Sequence, residues 1–473
     1  MEDRSSVSVS GLLRRPRGCA VLPRPLHRET TVRQLARSPR LRRTVVASTG
    51  TLGGSAAGAL LPFLIARWFE VGRSTDVYFL VVGAVQVVGY LLSLVVESAA
   101  LPFATKAAEL DQRSLRPFCV VLGRYVLAAA GALTVLALGI VVLVLIPAAG
   151  LTGSARDNAY QLVLAVAALP VLAALSGMVS ASNFALDRFA LTTGSQVLRA
   201  GGGIAMAATL GHELGLLAVA IGLTLGEAAR GLLLAVALPR SRPHTAAPAN
   251  IGLQMLRLAS PTLMASIVIA VNPIVDKAVA ARLDAGATTL LELGEKLFYI
   301  PMVLLVAAVT KVSATVWARQ VDVDDDALRR DFWKVQRLGA LVTTVAVAVA
   351  VSAALLSRDL VDDLLDLGGD PIFFVVFAAY IVGLPLALSA DLAGTMLITL
   401  RRTTAFPALA VLLVLVNLAA DIVGARLFGV VGIAASTTLV RVVNVGVFLW
   451  LCDRHLRRRT AKSPAPDPAP AAP

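Results

Sequence analysis

Apolar residues in this chain come in long runs, and polar residues gather in the gaps between them. Twelve runs stand out, over residues 44–66, 76–98, 117–146, 158–182, 190–210, 214–238, 258–281, 289–314, 333–356, 371–398, 405–424 and 430–451. Each approaches or exceeds the ~20 residues a helix needs to cross a hydrocarbon core of about 30 Å. Leu, Val, Ala and Gly dominate the runs, which suits helices and not barrel strands. The pattern predicts an all-α polytopic membrane protein with about 12 transmembrane helices.

The gaps suggest how these helices are grouped. The longest polar, Pro-containing link between runs falls at 239–257, after the sixth. Short motifs also recur across it. Ala66-Arg67 with Gly72 pairs with Ala281-Arg282 and Gly286; Leu186-Asp187-Arg188 with Leu400-Arg401-Arg402; Gly215 and Ala218 with Gly432 and Ala435. The offsets are 215, 214 and 217. A duplicated six-helix unit follows, and since six is even both copies have the same orientation in the membrane. The expected organisation is a basic tail over 1–43, a six-helix lobe over 44–238, a linker over 239–257, a second six-helix lobe over 258–451 and a basic, then Pro/Ala-rich tail over 452–473. Gly54 with Gly58, and Gly201-Gly202-Gly203, offer small faces for close helix packing.

Composition agrees: 57% of the 473 residues are hydrophobic and 15% charged. The net charge of +13 is a property of the ends. Residues 1–43 hold eleven Arg against three acidic residues, and residues 452–473 hold five Lys/Arg against two Asp. No folded basic module is present to read nucleic acid; basic tails beside a bilayer attract anionic membrane lipids. Between the spans, fifteen Lys/Arg lie on the side shared with the tails and six on the other. The positive-inside rule then predicts a multi-pass plasma-membrane protein with both termini in the cytoplasm. Cys19, Cys119 and Cys452 have no metal-like spacing, the four His are scattered, and no nucleophile–base pattern appears, so no catalytic residue, metal or cofactor is predicted.

Charges left inside apolar runs are costly, and they usually face a cavity or a partner. Glu227 and Arg230, three apart, read as a self-neutralising pair. Arg124 and Glu97 sit near a boundary, where snorkelling suffices. Arg199 and Arg441 lie deeper with no opposite charge at helical spacing; Arg441 would meet Asp391 across helices or face the substrate. Span 8 is densest: Glu292, Glu295 and Lys296 share one face by i, i+3, i+4 spacing, with Pro301 following. Three charges on one face suggest a wet surface. Asp76 marks the start of span 2. Asp276 and Asp391 are the acids expected to couple a monovalent cation.

Several stretches resemble the MviN/MurJ branch of the multidrug/oligosaccharidyl-lipid/polysaccharide exporter superfamily. They are Ala66-Arg67-Trp68-Phe69 through Asp76-Val77-Tyr78-Phe79; Pro261 through Asp276-Lys277 and Gly286 to Gly294-Glu295-Lys296-Leu297 and Pro301; and Asn417, Asp421 and Gly429-Val430-Val431-Gly432-Ile433-Ala434. The resemblance implies a flippase for a lipid-linked anionic saccharide, with basic residues on its diphosphate. Lys296 takes the place of the family's span-8 Arg, and Asp76 that of its Asp. Where the family's first helix carries two Arg around a Gly, this chain has Ser55 and Leu61 around Gly58. The anionic head group is therefore expected at the second lobe. The candidate substrate set is Lys296, Glu295, Glu292, Arg199, Arg441 and Asp76.

Two other readings remain open. A cation-coupled multidrug exporter of the same superfamily would use titrating carboxylates such as Asp391 or Glu295. A membrane prenyltransferase would use the DDxxD spelling of Asp362-Asp363-Leu364-Leu365-Asp366. That string is placed on the side opposite the tails, where a solvated acidic loop explains it as well.

Overall fold

The computed structural model describes residues 56–240, 252, 254–255, 270–302, 307–321, 323–365, 371–400 and 402–460, all within one compact unit, Ala47–Pro473. The expectations for residues 1–55, for most of the 239–257 linker and the early part of span 7, and for Asp322, Asp366, Arg401 and 461–473 lie outside the described residues. The described chain holds helices and turns, with no strand.

The first helix, α1 (Ala56–Phe69), leads through a three-residue turn to α2 (Arg73–Leu110). At 1.5 Å per residue α2 is about 57 Å long, well beyond a bilayer core. Next come α3 (Leu115–Ile140), α4 (Gly153–Val166), α5 (Leu169–Ala185), α6 (Phe189–Gly194), α7 (Val197–Leu214) and α8 (Leu216–Val236). Residues 270–280 form α9. Then follow α10 (Ala287–Pro301), α11 (Ala307–Gln320), α12 (Asp325–Leu356), α13 (Arg358–Leu365), α14 (Ile372–Ile381), α15 (Leu384–Thr399) and α16 (Phe406–Thr460), which reverses at Gly429. Among the described residues, seven helical stretches are long and apolar enough to span a membrane.

Apolarity is continuous across several spans whose helices are not. Span 4 breaks at residues 167–168, between α4 and α5, and span 10 breaks at 382–383, between α14 and α15. Pro170 and Pro385 stand at the second position of the helix after each break, where the missing N–H has no helical partner to lose. The two breaks are 215 residues apart. Gly215 and Gly429 reverse the chain with nearly the same dihedrals, φ 57°, ψ −138° and φ 60°, ψ −138°. Left-handed φ suits Gly, which has no Cβ to clash. The partner of Gly215 is thus Gly429, not Gly432, and the offset of 214 falls in line with the others.

Buried apolar side chains gather along the chain. One cluster centres on Tyr78, Leu80, Leu145, Leu169 and Leu223, and another on Leu115, Leu122, Met178 and Leu234. The first extends to Ala281 and the second to Met255. A third, around Phe298, Trp317, Phe332, Phe377 and Leu388, begins at Ala280. A small cluster of Ala66, Leu290, Leu293, Phe373 and Phe374 crosses between the two sets. Helices α7 and α8 pack through glycine: a Cβ at Gly222 would lie 2.4 Å from the Gly202 carbonyl oxygen. Backbones come this close only where both sides lack side chains.

Candidate functional site

The α1–α2 turn meets the α9–α10 turn. Gly286 opens α10 with φ 94°, and a Cβ there would lie 2.8 Å from Val71, so both backbone and space require glycine. A glycine cap has no side chain to satisfy the first N–H groups of α10. The cap comes instead from α2. The Asp76 carboxylate accepts from the Gly286 N–H at 2.7 Å, the Thr289 N–H at 2.8 Å and the Thr289 hydroxyl at 2.9 Å. Asp76 is 1% exposed. Arg73 donates to the Ala281 carbonyl at 2.6 Å, and Arg282 donates to the Ala148 carbonyl. Asp76, expected to line the substrate cavity, is therefore a helix cap joining segments 210 residues apart.

Deeper along α10 lies the charged face expected from the sequence, but it is drier than expected. Glu292 is 5% exposed and bridges two lysines: Lys296 at 3.0 Å, and Lys277, which α9 brings to the other carboxylate oxygen. Glu295 stands 3.9 Å from Lys277. A Cβ at Gly83 would lie 3.4 Å from the Lys277 ammonium, so this network also abuts α2. Two lysines and two glutamates nearly cancel. Buried charges persist only when paired in this way. Lys296 alone keeps an open side, with 34% of its side chain exposed. Lys277 escaped the sequence-based candidate set; an unpartnered cation in an apolar run was the signal.

A second polar group forms beside it. Asp276, next to Lys277 on α9, accepts from the Asn417 amide at 2.6 Å and from the Thr437 hydroxyl at 3.1 Å. The same amide donates to Asp421 at 2.9 Å, and Ser436 also donates to Asp421. Asp276, Asn417, Asp421 and Ser436 are 0–6% exposed. Two carboxylates this close repel unless a proton or cation is shared between them. Asn417 and Asp421 belong to the stretch that carries the family resemblance, and i, i+4 spacing puts them on one face. Sequence reading did not join them to Asp276.

The remaining candidates are dispersed. Arg441 lays its guanidinium 4.0 Å over the Phe298 ring and donates to the Tyr380 carbonyl at 3.4 Å. It does not meet Asp391, which is exposed on α15; the expected pair is replaced by a cation–π contact. Glu227 and Arg230 pair at 3.0 Å, both buried. Arg199 on α7 lies within electrostatic reach of that pair and of Lys296. Arg124 is exposed. In the acidic string, Asp362 and Asp363 fall on α13.

Comparison with known proteins places this geometry. A sequence profile describing the lipid II flippase MurJ matches residues 65–463. No curated protein matches significantly. Among solved structures, lipid II flippase MurJ in an inward closed conformation superposes with TM-score 0.70 and 17% identity, covering 86% of this chain and 87% of that one. An inward-facing multidrug resistance MATE transporter gives TM-score 0.71 and 13% identity, covering 89% and 99%. A transporter of the same superfamily from Pyrococcus furiosus gives 0.62 and 12%, covering 90% and 98%. At such identities the structural likeness speaks for the fold alone.

Proposed function

The chain belongs to the lipid II flippase MurJ family, and from that membership we propose that it moves a polyprenyl-diphosphate-linked saccharide, lipid II or another cell-envelope unit, from the inner to the outer leaflet by alternating access. Lys296 carries this reading. It presents an open ammonium on α10, and Arg199 on α7, in the other half of the chain, lies within electrostatic reach of it. A diphosphate between the two would meet a cation from each half.

In this account the two six-helix lobes, 44–238 and 258–451, rock about the head group. The Asp76 cap holds them together at the outer end while the cargo enters from the cytoplasm. Diphosphate on Lys296 competes with Glu292 for the cation, which loosens α10 from its resting pairing. The lobes then part at the Asp76–Gly286 contact. The lipid tail stays in the bilayer throughout. With the cell interior at about −100 mV, moving two uncompensated negative charges outward releases roughly 4–5 kcal/mol. Asp276 and Asp421, bridged by the Asn417 amide and flanked by the Thr437 and Ser436 hydroxyls, form an oxygen-rich site suited to a monovalent cation, which would couple an ion gradient to the return step. Both termini lie in the cytoplasm, where the basic tails contact anionic lipids.

The carboxylate pair also supports a second reading, a cation-coupled multidrug exporter. Complementation separates the two. Expression of this chain in a strain depleted of its lipid II flippase should restore growth under the first reading; drug efflux without complementation favours the second.

A further inference from the structure

Helix α12 begins beside the C-terminal end of α16. There Arg329 pairs with Asp453 at 3.7 Å, Arg457 with Asp453 at 2.6 Å and Arg459 with Asp325 at 2.8 Å. Three further cations on α12 are left out of these pairs. Arg330, Lys334 and Arg337 follow i, i+4, i+7 spacing, so they share one face, and all three are exposed. Among the described residues none of the three has an ion pair or hydrogen bond to protein. A groove runs along this face; among the described residues Asp326 is the one acid that lines it, and Leu338 and Leu341 lie at its far end. Asp331, also nearby, accepts from the Trp317 indole at 3.0 Å.

Past Arg337 the same face turns apolar while staying exposed: Leu338 is 57%, Leu341 62% and Val345 55% exposed. Trp333 stands between Arg330 and Lys334, with its ring held edge-on by buried Phe332 at 5.2 Å. Cations with an indole among them, followed by exposed aliphatic side chains, match the passage from the phosphate and interface level of one leaflet to its acyl chains. Since α12 is long and apolar enough to span a membrane, its exposed aliphatic turns face acyl chains, and the phosphates that reach the adjoining cations are those of lipids. We propose that this face of α12 binds an anionic phospholipid, with its phosphodiester on Arg330, Lys334 and Arg337 and its acyl chains along Leu338 and Leu341. No residue of the Glu292 network lines the groove, so this lipid site is separate from the cargo site.

The test uses the full chain in phosphatidylcholine vesicles doped with photoactivatable phosphatidylglycerol. The probe should cross-link to the 326–341 segment of the unmodified protein. Changing Arg330, Lys334 and Arg337 together to Gln should weaken phosphatidylglycerol binding by roughly fivefold per cation, about a hundredfold in all. A photoactivatable phosphatidylcholine should label both proteins equally and weakly, and soluble glycerophosphate should not compete. Cross-links mapping elsewhere in the unmodified protein, undiminished labelling of the triple variant, or full competition by glycerophosphate would each overturn the proposal. The mapping on the unmodified protein stands even if the variant folds poorly.

Discussion

Replacing Asp76 by Ala should unlatch the two halves of the molecule. The carboxylate accepts three hydrogen bonds from the start of α10, two of them from backbone N–H groups that Gly286 cannot cap itself. Losing a charged acceptor at a buried site leaves those donors unsatisfied, at about 1–3 kcal/mol per group, offset in part by water that enters. A net loss of about 3 kcal/mol shifts the ratio of joined to parted states by roughly 150-fold. Ala281 is 1% exposed at this joint, so it makes a reporter. In a background with Cys19, Cys119 and Cys452 changed to Ser, Ala281→Cys should react slowly with a membrane-impermeant maleimide. Adding Asp76→Ala should speed labelling by tenfold or more, and Asp76→Asn, which keeps one acceptor, by less. Equal labelling rates in folded protein with and without Asp76 would refute the latch.

Three further outcomes follow from other contacts. Glu292→Gln removes the counter-ion of Lys277 and Lys296, so resting stability should fall by about 3 kcal/mol; inorganic pyrophosphate should then raise the melting temperature more in the variant than in the parent, and an equal or smaller rise counts against the anion site. Asp421→Asn leaves Asp276 without its facing carboxylate, so any dependence of transport on Na⁺ or Li⁺ should vanish; an unchanged cation titration would remove the coupling role. Gly222→Val drives a side chain into the Gly202 backbone, and should cost about 3 kcal/mol or abolish folding, read as loss of the monodisperse peak in size exclusion.

Run length and composition were enough to read the membrane fold, because a bilayer imposes a minimum apolar length on every crossing. The repeat was legible in outline, yet its best marker was mispaired. Gly432 resembles Gly215 in its neighbours, but Gly429 is the residue with the left-handed dihedrals. The helix breaks at 167–168 and 382–383 left no mark on hydropathy, and Pro170 and Pro385 were their only local signal. Charges were harder. An acid at the head of an apolar run looks the same whether it lines a cavity or caps a helix, and the partner of Asp76 lies 210 residues away. Glu292 and Lys296 sat visibly on one face, while Lys277 needed the α9–α10 turn to bring it round. Arg441 was matched to Asp391 on charge alone; Phe298, far from both in sequence, took its place.

Lys296 offers the most direct measurement. Purified protein in vesicles containing labelled lipid II should move the label to the opposite leaflet. Lys296→Ala, shown to be folded by its melting temperature, should slow that movement about 30-fold, as expected for roughly 2 kcal/mol from a charge-assisted contact. Lys296→Arg should retain most of it. Lipid II crossing at the unmodified rate in folded Lys296→Ala would contradict the account.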